Sequence, residues 1–154
     1  MDELKFENKY DTLKLKYQLC FPLYACAKEV VKKYRTFLDE INLTYTQYIT
    51  MMVMWEYKTI SAKEIGEKLY LDSGTLTPVL KSLAEKGYVT RQRSKEDERV
   101  LIVEVTERGM ALRDEALSVP SHVSTCVNLS QEESLTLYNL LYKILGNLGG
   151  TEEE

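Results

Sequence analysis

Between Tyr10 and Leu38 apolar residues return at helical intervals, with no glycine and a single proline, Pro22. That spacing predicts one long helix bent near the proline. Asn42 to Thr44 interrupts it. Thr44 with Gln47, and Ser61 with Glu64, have the spacing of a capping box, in which a hydroxyl and a side chain three residues on satisfy the first free amides. Helices are therefore expected to start near Tyr45 and Ala62. The second is short and carries Ala62, Ile65 and Leu69 on one face. A connection from Tyr70 to Ser73 leads into Gly74 to Lys86, where Leu76, Val79, Leu80 and Leu83 form a buried stripe. Gly87 suits a left-handed stop.

Tyr88 to Ser94, a charged turn from Lys95 to Arg99, and Val100 to Thr106 then read as a β-hairpin. The order helix, helix, short helix, second helix, hairpin is a winged helix-turn-helix: a mainly α fold with a small β-hairpin wing. Residues from about 45 to 106 form the expected DNA-binding region of a single domain spanning 1–154, and about 10–38 and 107–148 a helical dimerisation region. Glu107 to Leu117 is expected to be helical up to Pro120. Ser130 to Leu148 forms a last helix, opened by Ser130 and Glu133, closed by Gly149-Gly150 and followed by the solvated acidic tail Glu152 to Glu154. Its Leu137, Leu141, Ile144, Leu145 and Leu148, widened by Leu135, Tyr138 and Leu140, offer more apolar surface than one small domain covers. A dimer interface shared with the first helix follows; an ordinary core helix is the alternative.

Composition changes this picture little. A net charge of −4 argues against nucleic acid as a whole-chain average, but Ser61 to Thr106 holds eight Lys/Arg against eight Asp/Glu, so the basic groups there count by position. The N-terminus lacks the basic-then-apolar order of a signal peptide, and no apolar run approaches the roughly 20 residues that span a bilayer. The expectation is a cytoplasmic protein with no membrane association, whose Cys20, Cys26 and Cys126 rest as thiols.

With the stripe facing inward, Thr75, Thr77, Pro78, Lys81, Ser82 and Glu85 lie on or beside the outer face of the second helix. Small hydroxyls near its start let it approach bases in the major groove, and Ser73 or Asp72 would cap it. Pro78 removes an amide past the first turn, at about 3 kcal/mol in a regular helix, and either bends the helix or aims Thr75 and Thr77. Arg91 and Arg93 share one strand face and Arg99 starts the return strand, an arrangement suited to the narrow minor groove, with Asp97 placed to hold Arg99 by a bidentate pair.

Cys20 shares a helical face with Tyr17 and Tyr24, whose hydroxyls can stabilise a thiolate, the form that peroxide attacks. Cys26 is six residues away, about 9 Å of helical rise, beyond disulfide reach, and is read as structural. Cys126, ahead of the last helix, could meet Cys20 only in a dimer or a refolded chain. His122, beside Pro120 in an expected bend, has no metal-ligand spacing, and no Ser, His, Asp set accompanies it; neither metal nor cofactor is expected. A thiol peroxidase built on Cys20 is the enzymatic alternative. With eleven tyrosines, a repressor released by a small aromatic ligand without thiol chemistry is another.

The segments Tyr17-Gln18-Leu19-Cys20-Phe21, Leu43-Thr44-Tyr45-Thr46-Gln47-Tyr48, Leu69 to Pro78 and Arg93 to Arg99 together resemble the MarR family, and within it the organic-hydroperoxide-sensing repressors. The likeness runs from about Leu13 to Pro120. It implies a homodimer on a pseudopalindromic double-stranded DNA operator, with Cys20 as the peroxidatic cysteine and organic hydroperoxide as effector. Tyr34 and Tyr45 match tyrosines that contact the sulfur, across the dimer or within the chain, and Tyr24 a further pocket tyrosine. Oxidation followed by capping with a low-molecular-weight thiol, or by a disulfide to a second cysteine near the position of Cys126, would shift the wings off DNA. Cys26 stands where the family has a small residue, Thr46 where proline is common, and the tail diverges.

Overall fold

The computed structural model describes residues 8–148; the expected Gly149-Gly150 stop and the acidic tail lie outside them. Two 3₁₀ turns, Asp11–Leu13 and Leu15–Tyr17, precede α1 (Cys20–Glu40), α2 (Tyr45–Tyr57), β1 (Thr59–Ser61), α3 (Ala62–Leu69), α4 (Ser73–Glu85), β2 (Val89–Arg93), β3 (Leu101–Val105), α5 (Glu107–Ala116), α6 (Val119–Val127) and α7 (Gln131–Leu148). The winged helix-turn-helix order is as expected.

Three local expectations change. The first helix starts at Cys20, not Tyr10. Ahead of it the buried Asp11 carboxylate accepts from the backbone and side-chain N–H of Asn8 at 3.2 and 3.1 Å and pairs with Lys14 at 2.7 Å. These short-range bonds favour a tight 3₁₀ turn over a regular helix. Pro22 is then the third residue of α1, where its missing N–H would have had no intrahelical partner, so it falls in the opening turn and bends nothing. Likewise Pro120 does not end a helix but stands second in α6, where its fixed φ suits the first turn. His122 and Cys126 therefore sit on a helix and not in a bend, and the His122 ring stacks on Phe37 at 5.0 Å, tying α6 to α1.

The third change is β1, which pairs antiparallel with β3 (Ile60 opposite Val103) and turns the hairpin into a three-stranded sheet of order β1-β3-β2. Three residues are too few to display an alternation. With Ile60 and Val103 buried, the sheet closes one side of a core in which Met51 and Met54 of α2, Ile65 of α3 and Leu80 and Leu83 of α4 are sealed from solvent.

All three expected capping boxes form, at Thr44 with Gln47, Ser61 with Glu64 and Ser130 with Glu133. Gly87 adopts φ 75°, and the N–H of Tyr88 donates to the Leu83 carbonyl at 3.0 Å while that of Gly87 donates to Ala84 at 2.9 Å. This left-handed stop turns the chain from α4 directly into β2. Trp55 of α2 donates its indole N–H to the Gly109 carbonyl at 2.7 Å, joining α5 to the reading head. At Gly109 a Cβ would lie 2.1 Å from the Tyr88 carbonyl oxygen, so only glycine permits the close approach of α5 and the α4–β2 turn.

Candidate nucleic-acid interface and thiol site

Asp72 caps α4: its carboxylate accepts the Thr75 N–H at 2.9 Å and the Thr75 hydroxyl at 2.7 Å, and these bonds hold its pKa below the usual carboxylate range. Ser73 is therefore the first helical residue and not the cap. The Thr77 hydroxyl donates to the Ser73 carbonyl at 2.7 Å. Ser73, Thr75, Thr77, Pro78 and Lys81 are all exposed along one edge of the helix, which continues through Pro78 to Glu85. Lys81 lies 3.9 Å from Glu85, a weak exposed pair. Ser82 departs from the expected outer face. It is half-buried and accepts from the Gln47 side chain at 2.9 Å, so it faces α2.

On the wing, Arg91 and Arg93 are exposed on β2, and Arg93 donates to the Arg99 carbonyl at 3.2 Å. The expected fork is formed: Arg99 Nε and Nη2 each donate to one Asp97 oxygen at 3.0 Å, and the Arg99 N–H adds a third bond of 3.0 Å to Oδ1. The pairing lowers the pKa of Asp97 and raises that of Arg99. An otherwise flexible guanidinium is thereby pre-aimed outward at the hairpin tip.

Cys20 opens α1 and is exposed, with Tyr24 one turn on and also exposed. Tyr17 lies in a 3₁₀ turn, so the single helical face expected for all three does not form. Tyr34 and Tyr45 pack ring to ring at 4.9 Å, with Tyr48 5.9 Å from Tyr34, a third member that sequence reasoning did not single out. Burial pushes the phenols of all three upward, which keeps them as O–H donors through neutral pH. Fourteen helical residues, about 21 Å of rise, separate Cys20 from Tyr34 along α1. One chain therefore does not bring the thiol and the tyrosine pair together. Cys26 is exposed in the single chain, as is Cys126 in the last turn of α6. Val123 and Val127 of α6 line a groove of about 790 Å³ with Val30 and Tyr34, so the end of α6 lies level with the tyrosines and not with Cys20.

The long apolar face expected on the final helix is only partly covered: Leu141, Ile144 and Leu145 are half-buried, and Leu137 and Leu141 line the groove with Val30 and Tyr34. α7 has no fully buried residue, and Leu135, Leu137, Tyr138 and Leu140 stay exposed, as do Phe21, Leu23 and Tyr24 of α1. Among the described residues no group of His, Cys, Asp and Glu could hold a metal ion, and no helix is long and apolar enough to cross a membrane.

A helix offered by its N-terminal edge, a wing armed with a clamped arginine and flanking helices with a bare apolar face define a winged-helix transcription regulator of the MarR type. The chain belongs to the SarA/Rot family of transcriptional regulators, whose model matches residues 27–116. It is 44% identical over 142 residues to the organic hydroperoxide resistance transcriptional regulator of Bacillus subtilis, covering 92% of this chain and 97% of that one. To the regulator SarZ of Staphylococcus aureus it is 42% identical over 135 residues, 88% of each chain. The solved structure of reduced AbfR bound to DNA, a protein of Staphylococcus epidermidis, superposes with a TM-score of 0.73 at 33% identity over 91% of this chain and 97% of that one. The disulfide-formed AbfR gives 0.61 at 32% identity, with 91% and 95% covered. The overoxidized AbfR bound to DNA superposes as well as the reduced form, at 0.73, so the present conformation lies nearer the DNA-bound arrangements of that relative than the disulfide-formed one.

Proposed function

We propose that this protein is a cytoplasmic, homodimeric repressor that holds a double-stranded operator while Cys20 is a thiol and releases it when an organic hydroperoxide oxidises that sulfur. Regulation, not turnover, is its task. The observation that carries the reading is the separation within one chain: an exposed thiol at the start of α1, and the half-buried Tyr34, packed on Tyr45 of α2, about 21 Å further along α1. Neither half is a sensor alone. A second copy laid against the bare faces of α1 and α7 supplies the missing half, bringing its Cys20 to Tyr34 and Tyr45 while Tyr24 lines the approach. Because α6 ends level with Tyr34, a partner thiol seated there also comes close to Cys126.

In this scheme the Cys20 thiolate attacks the terminal oxygen of the hydroperoxide, the O–O bond breaks, and the alcohol leaves with a proton. Cys20 is left as sulfenic acid. The Cys126 thiol of the other copy, or a small thiol, then forms a disulfide with it and expels water. The Tyr34 and Tyr45 hydroxyls lose their thiolate acceptor, and the pair that packs α1 against α2 shifts. The reading head, residues about 45–106, carries the DNA contacts. Ser73, Thr75, Thr77 and Pro78 enter the major groove, Lys81 meets phosphate, and Arg91, Arg93 and the Asp97-held Arg99 reach the minor groove and backbone. The regions about 10–38 and 107–148 carry the dimer.

An operator mobility-shift assay with hydroperoxide tests this: the wild type lets go and Cys20→Ser stays bound. If Cys20→Ser is released as readily, Cys20 is not the sensor. Mass spectrometry of the oxidised protein should find Cys20 joined to Cys126 between two chains; a Cys126→Ser protein that responds only with added thiol would agree, and release unaffected by both changes would remove Cys126 from the scheme.

A further inference from the structure

The tyrosine pair and the base-reading end of α4 lie on different elements, and apolar packing between α2 and α4 resists sliding only weakly because it has no directionality. Hydrogen bonds do have it. Gln47, buried two residues after Tyr45, uses both ends of its amide at this junction. Its carbonyl oxygen accepts from the Thr44 N–H at 3.1 Å and from the Lys86 ammonium at 3.0 Å, and its amide nitrogen donates to the Ser82 hydroxyl at 2.9 Å. Lys86, at the C-cap of α4, reaches on to the carbonyl of Asn42 at 2.6 Å, in the turn between α1 and α2. Lys86 is half-buried, and desolvation lowers its pKa; its ammonium thus joins the Asn42 turn to the Gln47 side chain by charge-assisted hydrogen bonds.

We propose that Gln47, held by Lys86 and Ser82, is the positioning residue that carries a displacement of the Tyr34–Tyr45 pair into the recognition helix. Gln47 and Tyr45 share the first turn of α2, so the turn cannot move without its amide moving. Ser82 lies in the last turn of α4 and Lys86 at its C-cap, so that end follows. Thr75 near the other end of this 13-residue helix lies about 10 Å of helical rise from Ser82 and about 17 Å from Lys86, and a tilt of about 5° at the hub displaces it by about 1 Å. That is enough to break base-edge hydrogen bonds.

This inference rests on the thiol-sensing reading above, and the experiment separates the two. Operator dissociation constants are measured for reduced and hydroperoxide-treated wild type, Lys86→Met, Ser82→Ala and Ser82→Thr, with the fluorescence of Trp55, the single tryptophan, as a reporter on α2 beside Tyr48. Lys86→Met and Ser82→Ala leave the Thr44–Gln47 capping box intact. Their reduced forms should bind operator within about threefold of wild type. The oxidised-to-reduced ratio should shrink about tenfold while the fluorescence change on oxidation persists, and Ser82→Thr, which keeps the hydroxyl, should restore the ratio. Variants that keep the wild-type ratio, whether or not they bind operator more weakly in both states, would overturn the coupling role. A wild type that hydroperoxide does not release would overturn both the sensing reading and this one.

Discussion

The reading head and the helices flanking it are built on opposite terms. In the head, α2, α3, α4 and the sheet enclose Met51, Met54, Ile65, Leu83 and Val103 with no exposure. In the flank, the 18 residues of α7 bury nothing fully, and Leu137 keeps 44% of its surface. Leucines in α4 close a core within the chain, whereas in α7 they stay exposed or half-buried, the face proposed above for a second copy. Folding of the head is therefore a property of one copy, whereas in the proposed dimer the flank takes its cover, and the thiol site its second half, from another copy.

The widest test of that contrast is a matched pair of truncations. Leu83→Ala in the head should cost about 2–5 kcal/mol, read by chemical denaturation. Leu137→Glu in the flank should cost about 2 kcal/mol per copy, but as dimer dissociation in sedimentation equilibrium, with the head still folded by circular dichroism. A Leu137→Glu protein that stays dimeric would remove α7 from the interface. Next in size, Asp97→Ala should weaken operator binding about tenfold by freeing Arg99, with the salt dependence kept because the charge that meets the DNA remains. Asp72→Ala, which uncaps α4, should lower the thermal midpoint by about 3 °C and blur discrimination between operator variants.

The smallest expected effect lies at the seam between the two regions. Tyr34, Tyr45 and Tyr48 have folded-state pKa values above the ordinary one because burial disfavours the phenolate. Their contribution is whole below the unfolded value of about 10, and it declines as pH rises further, because the unfolded chain loses those protons first. Denaturation midpoints followed from about pH 8 to about pH 11 should fall, and Tyr34→Phe with Tyr45→Phe should flatten the decline. A decline equally steep in the double variant would mean that other groups set it.

What could be read ahead of the structure was what acts over short spans. The Thr44, Ser61 and Ser130 caps, the Gly87 stop and the Asp97–Arg99 fork each join residues at most five apart, and each formed where the residue types placed it. Where local signals compete, reading by period failed. Asp11 prefers its bonds to Asn8 and Lys14 over continuing a helix, and a proline marks a helix start as well as a stop, so α6 was hidden behind Pro120. The β1 strand went unseen because its reason for being a strand is Val103, some forty residues later. For the proposed thiol site, Cys20 stood out by kind and Tyr34 and Tyr45 through the family resemblance; the fourteen-residue spacing of Cys20 and Tyr34 was already legible, while the packing of Tyr34 on Tyr45 and Tyr48 was not.

By itself the sequence determined the order of helix, turn, helix and wing, the Thr44, Ser61 and Ser130 caps, and the residue types available at Cys20 and on the outer edge of α4. Periodicity and capping act within a turn or two of backbone, so no distant contact is needed to specify them. Tertiary structure alone decided that Ser82 faces inward, that Gln47 and Lys86 bridge positions 35 to 44 residues apart, and that the apolar faces of α1 and α7 are left open together. Those outcomes depend on which surfaces meet once the core has closed, a matter of packing among distant parts of the chain that no local pattern encodes.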